Sequence, residues 1–239
     1  MNHLLSKPVK TFFGHYLPIQ KGLATNTINA YRDAIRLLLC FVADQINQSV
    51  DTLYIEQLNE CQISAWLDHL EHTRSCSIPT RNARLAAIRS FFTFIARQHP
   101  QLMEQCQQVR AIPIKKEKTH YSPDYLEENE MQGLMDSVDL ETPTGLRDQA
   151  MLLLFYNTGA RVSEVVSLKL ENLNLKGQAQ VRLTGKGQKV RTCPLWPETV
   201  SAILDYLSER EAVADTDSLF LNAKGAPISR FGIRYVINK

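Results

Sequence analysis

Long apolar runs are absent from this chain of 239 residues, and none approaches the roughly 20 residues that a membrane-crossing helix needs. The opening stretch, MNHLLSKPVK, lacks the order of a secretory leader. The five cysteines (Cys40, Cys61, Cys76, Cys106, Cys193) are scattered and show no CxxC spacing. They read as reduced thiols of an intracellular protein, and neither a disulfide framework nor a metal site is expected. Histidine is sparse too, and none occurs after Lys186.

What remains is globular material. Hydrophobic residues make up 44% of the chain and charged residues 22%, enough for one large domain or two ordinary ones. The net charge of +2 is unevenly spread. Through residue 122 there are 14 Lys and Arg against 9 Asp and Glu, a net of +5; from 123 onward 13 stand against 16, a net of −3. A mildly basic front half is compatible with nucleic acid and equally with a solvated basic surface.

The front half carries helical periodicity. TNTINAYRDAIRLLLCFVADQ places Ile28, Tyr31, Ile35, Leu38, Leu39 and Val42 on one face, with Thr25 or Asn26 available as a cap. ECQISAWLDHLEHTRS does the same with Ile63, Trp66, Leu67 and Leu70. IPTRNARLAAIRSFFTFIARQHP turns Leu85, Ile88, Phe91, Phe92 and Ile95 inward and ends before Pro100. A short helix is expected before Pro18, making a four-helix all-α domain over 1–110. VRAIPIKKEKTHYSP, with its prolines and lysine cluster, reads as an exposed, extended linker, placed at 111–122.

Over 123–239, Ser122 is expected to cap a first helix. The apolar segment TGLRDQAMLLLFYNTGA forms a second, which ends at Gly159. The period then changes to alternation around TGKGQK, a glycine-rich β-hairpin. A helix opened by Pro197 follows, then a short strand, a Gly-Ala-Pro turn and the start of a last helix.

One stretch, NTGARVSEVVSL at 157–168, sets a chemical question. It places Arg161 at a helix start among apolar residues, where an unpaired cation is costly. Its partner is an outside phosphate or Glu164, three residues on and on the same helical face.

GARVSE together with LTGKGQKVRTCPL resembles the tyrosine recombinases, the phage integrase family, and the likeness runs over nearly the whole chain. The resemblance implies a mainly α fold with a small antiparallel β-hairpin or sheet: a helical, SAM-like core-binding domain plus an α+β catalytic domain. It implies a site-specific recombinase that breaks and rejoins duplex DNA through a 3′-phosphotyrosyl link, without cofactor or metal. The two domains would form a C-shaped clamp on the DNA. Arg161 and Lys186 become the catalytic residues and Glu164 the support that orients Arg161. Thr27, Tyr31, Arg32, Arg81, Arg84, Arg89, Lys189 and Arg191 become DNA contacts. Bland readings stay open at each: an ion pair at Arg161, a solvated tip at Lys186 with Lys189 as rival, a backbone or packing contact at Arg191, a solvated face for the helix arginines, core packing for Tyr31. Double-stranded DNA, a synaptic tetramer of the full-length parent and a cytoplasmic, nucleoid-associated location follow from the same likeness.

The chain departs from the family after Lys186. It has no His-x-x-Arg motif, and neither Tyr206 nor Tyr235 matches the nucleophile position. The expectation is a truncated recombinase, with its nucleophile beyond Lys239, that binds DNA without cleaving it. The alternatives are a non-catalytic DNA-binding regulator on the same fold and a plain helical interaction domain.

Overall fold

The computed structural model describes residues 3–117, 125–210 and 216–238. The chain divides into two compact units, Met1–Tyr121 and Ser122–Lys239.

Among its described residues the first unit is built of helices, with one isolated bridge, Leu4 to Tyr54. Helix α1 (Ser6–Thr11) runs on into a π-helical stretch, Phe12–Gln20, so the helix continues through Pro18 instead of stopping before it. Helix α2 (Thr25–Gln45) starts from Ala24 without a side-chain cap; neither Thr25 nor Asn26 supplies one. Helices α3 (Glu60–His72) and α4 (Ile78–Gln98) are capped by Asn59 and Ser77, whose side chains accept from Gln62 N and Thr80 N. All the inward positions read from α3 and α4 are buried. Trp66, Phe12, Phe91 and Phe92 are the largest fully buried side chains here, each removing roughly 150–250 Å² from water. Phe94 adds a second inward face to α4, packing on Tyr16 at 4.9 Å and on Phe12 at 5.5 Å.

Of the linker read over 111–122, residues 113–117 are exposed and outside regular structure, and only the inner end departs from the reading. A further helix, α5 (Met103–Ala111), occupies its start, and Val109 and Ile112 are buried. Residues 112–115 lie against α4 through hydrogen bonds to Arg81, Asn82 and Arg89. The rest of the expected linker, 118–122, lies outside the described residues, as does the expected cap Ser122.

The second unit starts with α6 (Glu128–Asp136), capped by a Glu127–Glu130 box. Helix α7 (Pro143–Thr158) follows, then the five-residue α8 (Val162–Val166). Strands β1 (Leu173–Asn174), β2 (Gln180–Thr184) and β3 (Val190–Pro194) form an antiparallel sheet in the order β1-β2-β3. Helices α9 (Pro197–Glu209) and α10 (Arg230–Ile237) complete the unit. Alternation along β2 buries Val181 and Leu183 against Met151, Leu154, Val165 and Ile203. At the start of α7, Thr142 Oγ1 accepts from Gly145 N at 3.0 Å. A Cβ on Gly145 would lie 1.6 Å from the Asp139 carbonyl oxygen, so this turn closes only on glycine. Among the described residues, no helix is long and apolar enough to cross a membrane.

Candidate functional site

Helix α7 stops where Gly159 turns left-handed, at φ 58° and ψ 31°. Just before it, Asn157 ties the helix end to the sheet. Its Oδ1 accepts from Trp196 N at 2.9 Å and its Nδ2 donates to Pro194 O at 3.3 Å. The reversal at Gly159 delivers Arg161 to the N-cap of α8, in extended conformation.

The charge logic of this corner reverses the reading from sequence. Arg161 is not buried: its side chain is 69% exposed. Glu164 is the buried charge, with its side chain 1% exposed. Its carboxylate accepts from Arg161 N (2.9 Å) and Arg161 Nη1 (3.1 Å). On its other side Arg191 makes a bidentate pair, Nη1 to Oε1 at 2.9 Å and Nη2 to Oε2 at 2.8 Å. The Arg191 pair, above all, pulls the Glu164 carboxyl down from 4.5 to about 2 against the cost of its burial; the Arg161 bonds add to this. The same pairing raises Arg191. Two guanidinium groups on one carboxylate leave a surplus positive charge, carried by the exposed Arg161.

The Arg191 fork thus has an internal partner, Glu164, while its side chain stays 38% exposed. The signal was available in the alternation of β2. The register pairs Leu183 with Arg191, and directly opposed residues share a sheet face. Since Leu183 is buried, Arg191 points the same way and needs an internal partner.

The hairpin tip closes through Gly185 N to Lys189 O at 2.8 Å, and Lys186 and Lys189 are both exposed upon it. A Cβ on Gly185 would stand 2.8 Å from Glu164 Oε1 and 3.8 Å from Arg161 Nη1. The residue before Lys186 therefore rests directly on the Arg161–Glu164 pair. Four donors pin this carboxylate, so it cannot yield to a methyl group. Gly185→Ala is expected to cost about 2 kcal/mol, through overpacking, in a urea titration; a variant with an unchanged midpoint would refute the close approach.

The sequence pattern described as the phage integrase family matches residues 124–239, and that of the phage integrase N-terminal SAM-like domain matches residues 11–99. The integrase/recombinase y4rD of Sinorhizobium fredii is 36% identical over 244 residues, which cover 99% of this chain and 85% of that protein. The chain belongs to the phage integrase family, the tyrosine recombinases. A tyrosine recombinase XerD of Staphylococcus epidermidis is 30% identical over 94% of this chain and 74% of its own. Among solved structures, the XerH site-specific recombinase bound to palindromic difH substrate aligns with a TM-score of 0.67 at 20% identity, over 88% of this chain and 62% of that one. A lambda integrase dimer bound to a COC′ core site aligns with 0.67 at 15% identity, over 98% and 80%. Both share the fold.

In this family member the expected contacts of the helical unit divide. Arg32 is exposed, 5.7 Å over the Phe13 ring, while Thr27 and Tyr31 are half-buried, Tyr31 against the core. Arg81 is buried and bonded to Pro113 O at 3.1 Å, Arg84 reaches Cys76 Sγ at 3.1 Å, and Arg89 donates to Ile112 O. Each of these three arginines thus has a partner inside the unit, and Arg84 and Arg89 are only half-buried. Of the late tyrosines, Tyr206 is buried and its hydroxyl accepts from Leu221 N at 3.1 Å; Tyr235 is exposed on α10.

Proposed function

We propose that this chain grips duplex DNA for site-specific recombination, with Arg161 and Lys186 addressing one scissile phosphate, and that these residues alone bind without cleaving. The first part rests on one observation: a single buried carboxylate, Glu164, holds Arg161, the Arg191 strand and the Gly185 tip in one cluster. Phosphoryl transfer loads charge onto non-bridging oxygens, so positioned cations do most of the catalysis. The Arg161 guanidinium offers those oxygens parallel donors, and its side chain is free to meet them. Lys186, on the exposed tip, acts as general acid toward the leaving 5′-oxygen. Glu164 never meets DNA; it sets the direction of Arg161. Lys189 serves as a phosphate contact beside it, and Arg32 and Thr27 do so on α2. Synaptic tetramers assembling on DNA in the cytoplasm belong to the same reading.

The second part rests on the absence of histidine after Lys186 and on the internal use of the Tyr206 hydroxyl. The second reading is a DNA-binding regulator that has kept the fold without the chemistry. Incubation with a nicked suicide duplex tests both parts. The expected result is a retarded complex that weakens steeply with salt and no covalent adduct on a denaturing gel. An adduct overturns the non-cleaving claim; the lack of any salt-sensitive complex overturns the DNA reading.

A further inference from the structure

Several polar side chains of the helical unit converge on a short piece of main chain. Arg89 donates to Ile112 O. Arg81 Nη1 donates to Pro113 O at 3.1 Å. Asn82 binds Lys115 on both backbone groups: its Nδ2 donates to Lys115 O at 2.8 Å, and its Oδ1 accepts from Lys115 N at 3.2 Å. Glu71, in the last turn of α3, closes the set. Its Oε2 takes Lys115 Nζ at 2.5 Å, and its Oε1 lies 3.1 Å from Arg81 Nε, near enough for ionic attraction though not aligned as a hydrogen bond. The Lys115 bond holds the Glu71 carboxyl below its ordinary range. Ile112 seals the inner end, buried in the core.

The arrangement has the chemistry of a clasp. Three main-chain positions within four residues are each bound by a different side chain of α4, and two of the bonds come from a neutral amide that salt does not screen. The clasped segment is the one along which the chain leaves the first unit for the second.

We propose that Glu71, Arg81, Asn82 and Arg89 are positioning residues, which fix the departure point of the inter-unit tether at Lys115. Without them the tether would start at Ala111, the end of α5, and gain four residues, about 13 Å of extended chain. On DNA bound by one unit, a longer tether lowers the effective concentration of the other. This consequence rests on the DNA-binding reading above; the clasp itself does not.

The experiment uses the full chain and Asn82→Ala, which changes no charge and places the strongest helix former within α4. Hydrogen exchange at the Lys115 amide is expected to quicken about tenfold, with the melting temperature and the protection of α3 and α4 unchanged. Affinity for a full-site duplex is expected to fall about two- to fivefold, with no loss on a duplex too short to engage both units. Unchanged exchange overturns the clasp. Equal loss on both duplexes overturns the tether role and makes Asn82 a direct contact. A wild-type chain that binds neither duplex sinks the functional reading, and the exchange arm then decides the clasp alone.

Discussion

Glu164→Ala is expected to lower the melting transition of the second unit by about 10 °C, corresponding to about 3 kcal/mol. The substitution leaves two guanidinium groups side by side without their counter-ion and takes the acceptor from the Arg161 N–H. The estimate sits at the low end for breaking a buried ion pair because Arg161 and Arg191 are 69% and 38% exposed and can turn toward water. The acid limb carries a second signature. Glu164 falls from 4.5 to about 2 on folding, so its contribution is fully present above pH 4.5 and disappears as the pH drops toward 2. Calorimetry between pH 7 and 2 should show wild-type stability shedding this contribution in that window and Glu164→Gln lacking it. Equal melting temperatures for wild type and alanine variant at pH 7 would remove Glu164 from the centre of the site.

Gly145→Ala is expected to cost about 3 kcal/mol, at the upper end of overpacking penalties. The added methyl group would meet backbone, the Asp139 carbonyl oxygen and carbon at 1.6 and 2.7 Å, not the end of a flexible side chain. The 139–142 turn must open, and the Thr142 cap on Gly145 N goes with it. Because α7 also carries Asn157 and Gly159, the shift reaches the Arg161 corner, and duplex affinity should fall together with the urea midpoint. A variant with a wild-type midpoint would mean that the turn adapts freely.

The helices were legible because their apolar positions recur every three or four residues, and α3, α4 and α7 carry recognisable starts or stops. The sheet was legible as a hairpin, since alternation and a glycine-rich tip coincide. What escaped depends on distance in sequence. Helix α5 is polar and short, with only Cys106 and Val109 buried, so its periodicity is faint. The π-helical winding around Pro18 is a tertiary outcome that local preference argues against. Arg81 and Arg89 look like solvated cations until Glu71 and the 112–115 segment are seen beside them.

The residues of the candidate site could be singled out in the sequence, but their wiring could not. GARVSE and GKGQK pointed to Arg161, Glu164 and Lys186. Which charge is buried could not be read from composition, because an arginine and a glutamate three residues apart look symmetrical on paper. The asymmetry comes from Arg191, 27 residues downstream of Glu164. Two forks converging on one carboxylate make it the natural group to bury, and the other arginine is left for solvent.

Asn82 and Asn157 share a habit that bears on how homologous chains diverge. Each grips main chain, Lys115 in one case and Pro194 with Trp196 in the other. Peptide groups are the same whatever side chain they carry, proline excepted, which lacks the N–H. Mutational drift at 115 and 196 therefore leaves these fastenings intact, whereas drift at 82 and 157 undoes them. Asparagine at 82 and 157 should outlast the residues it holds.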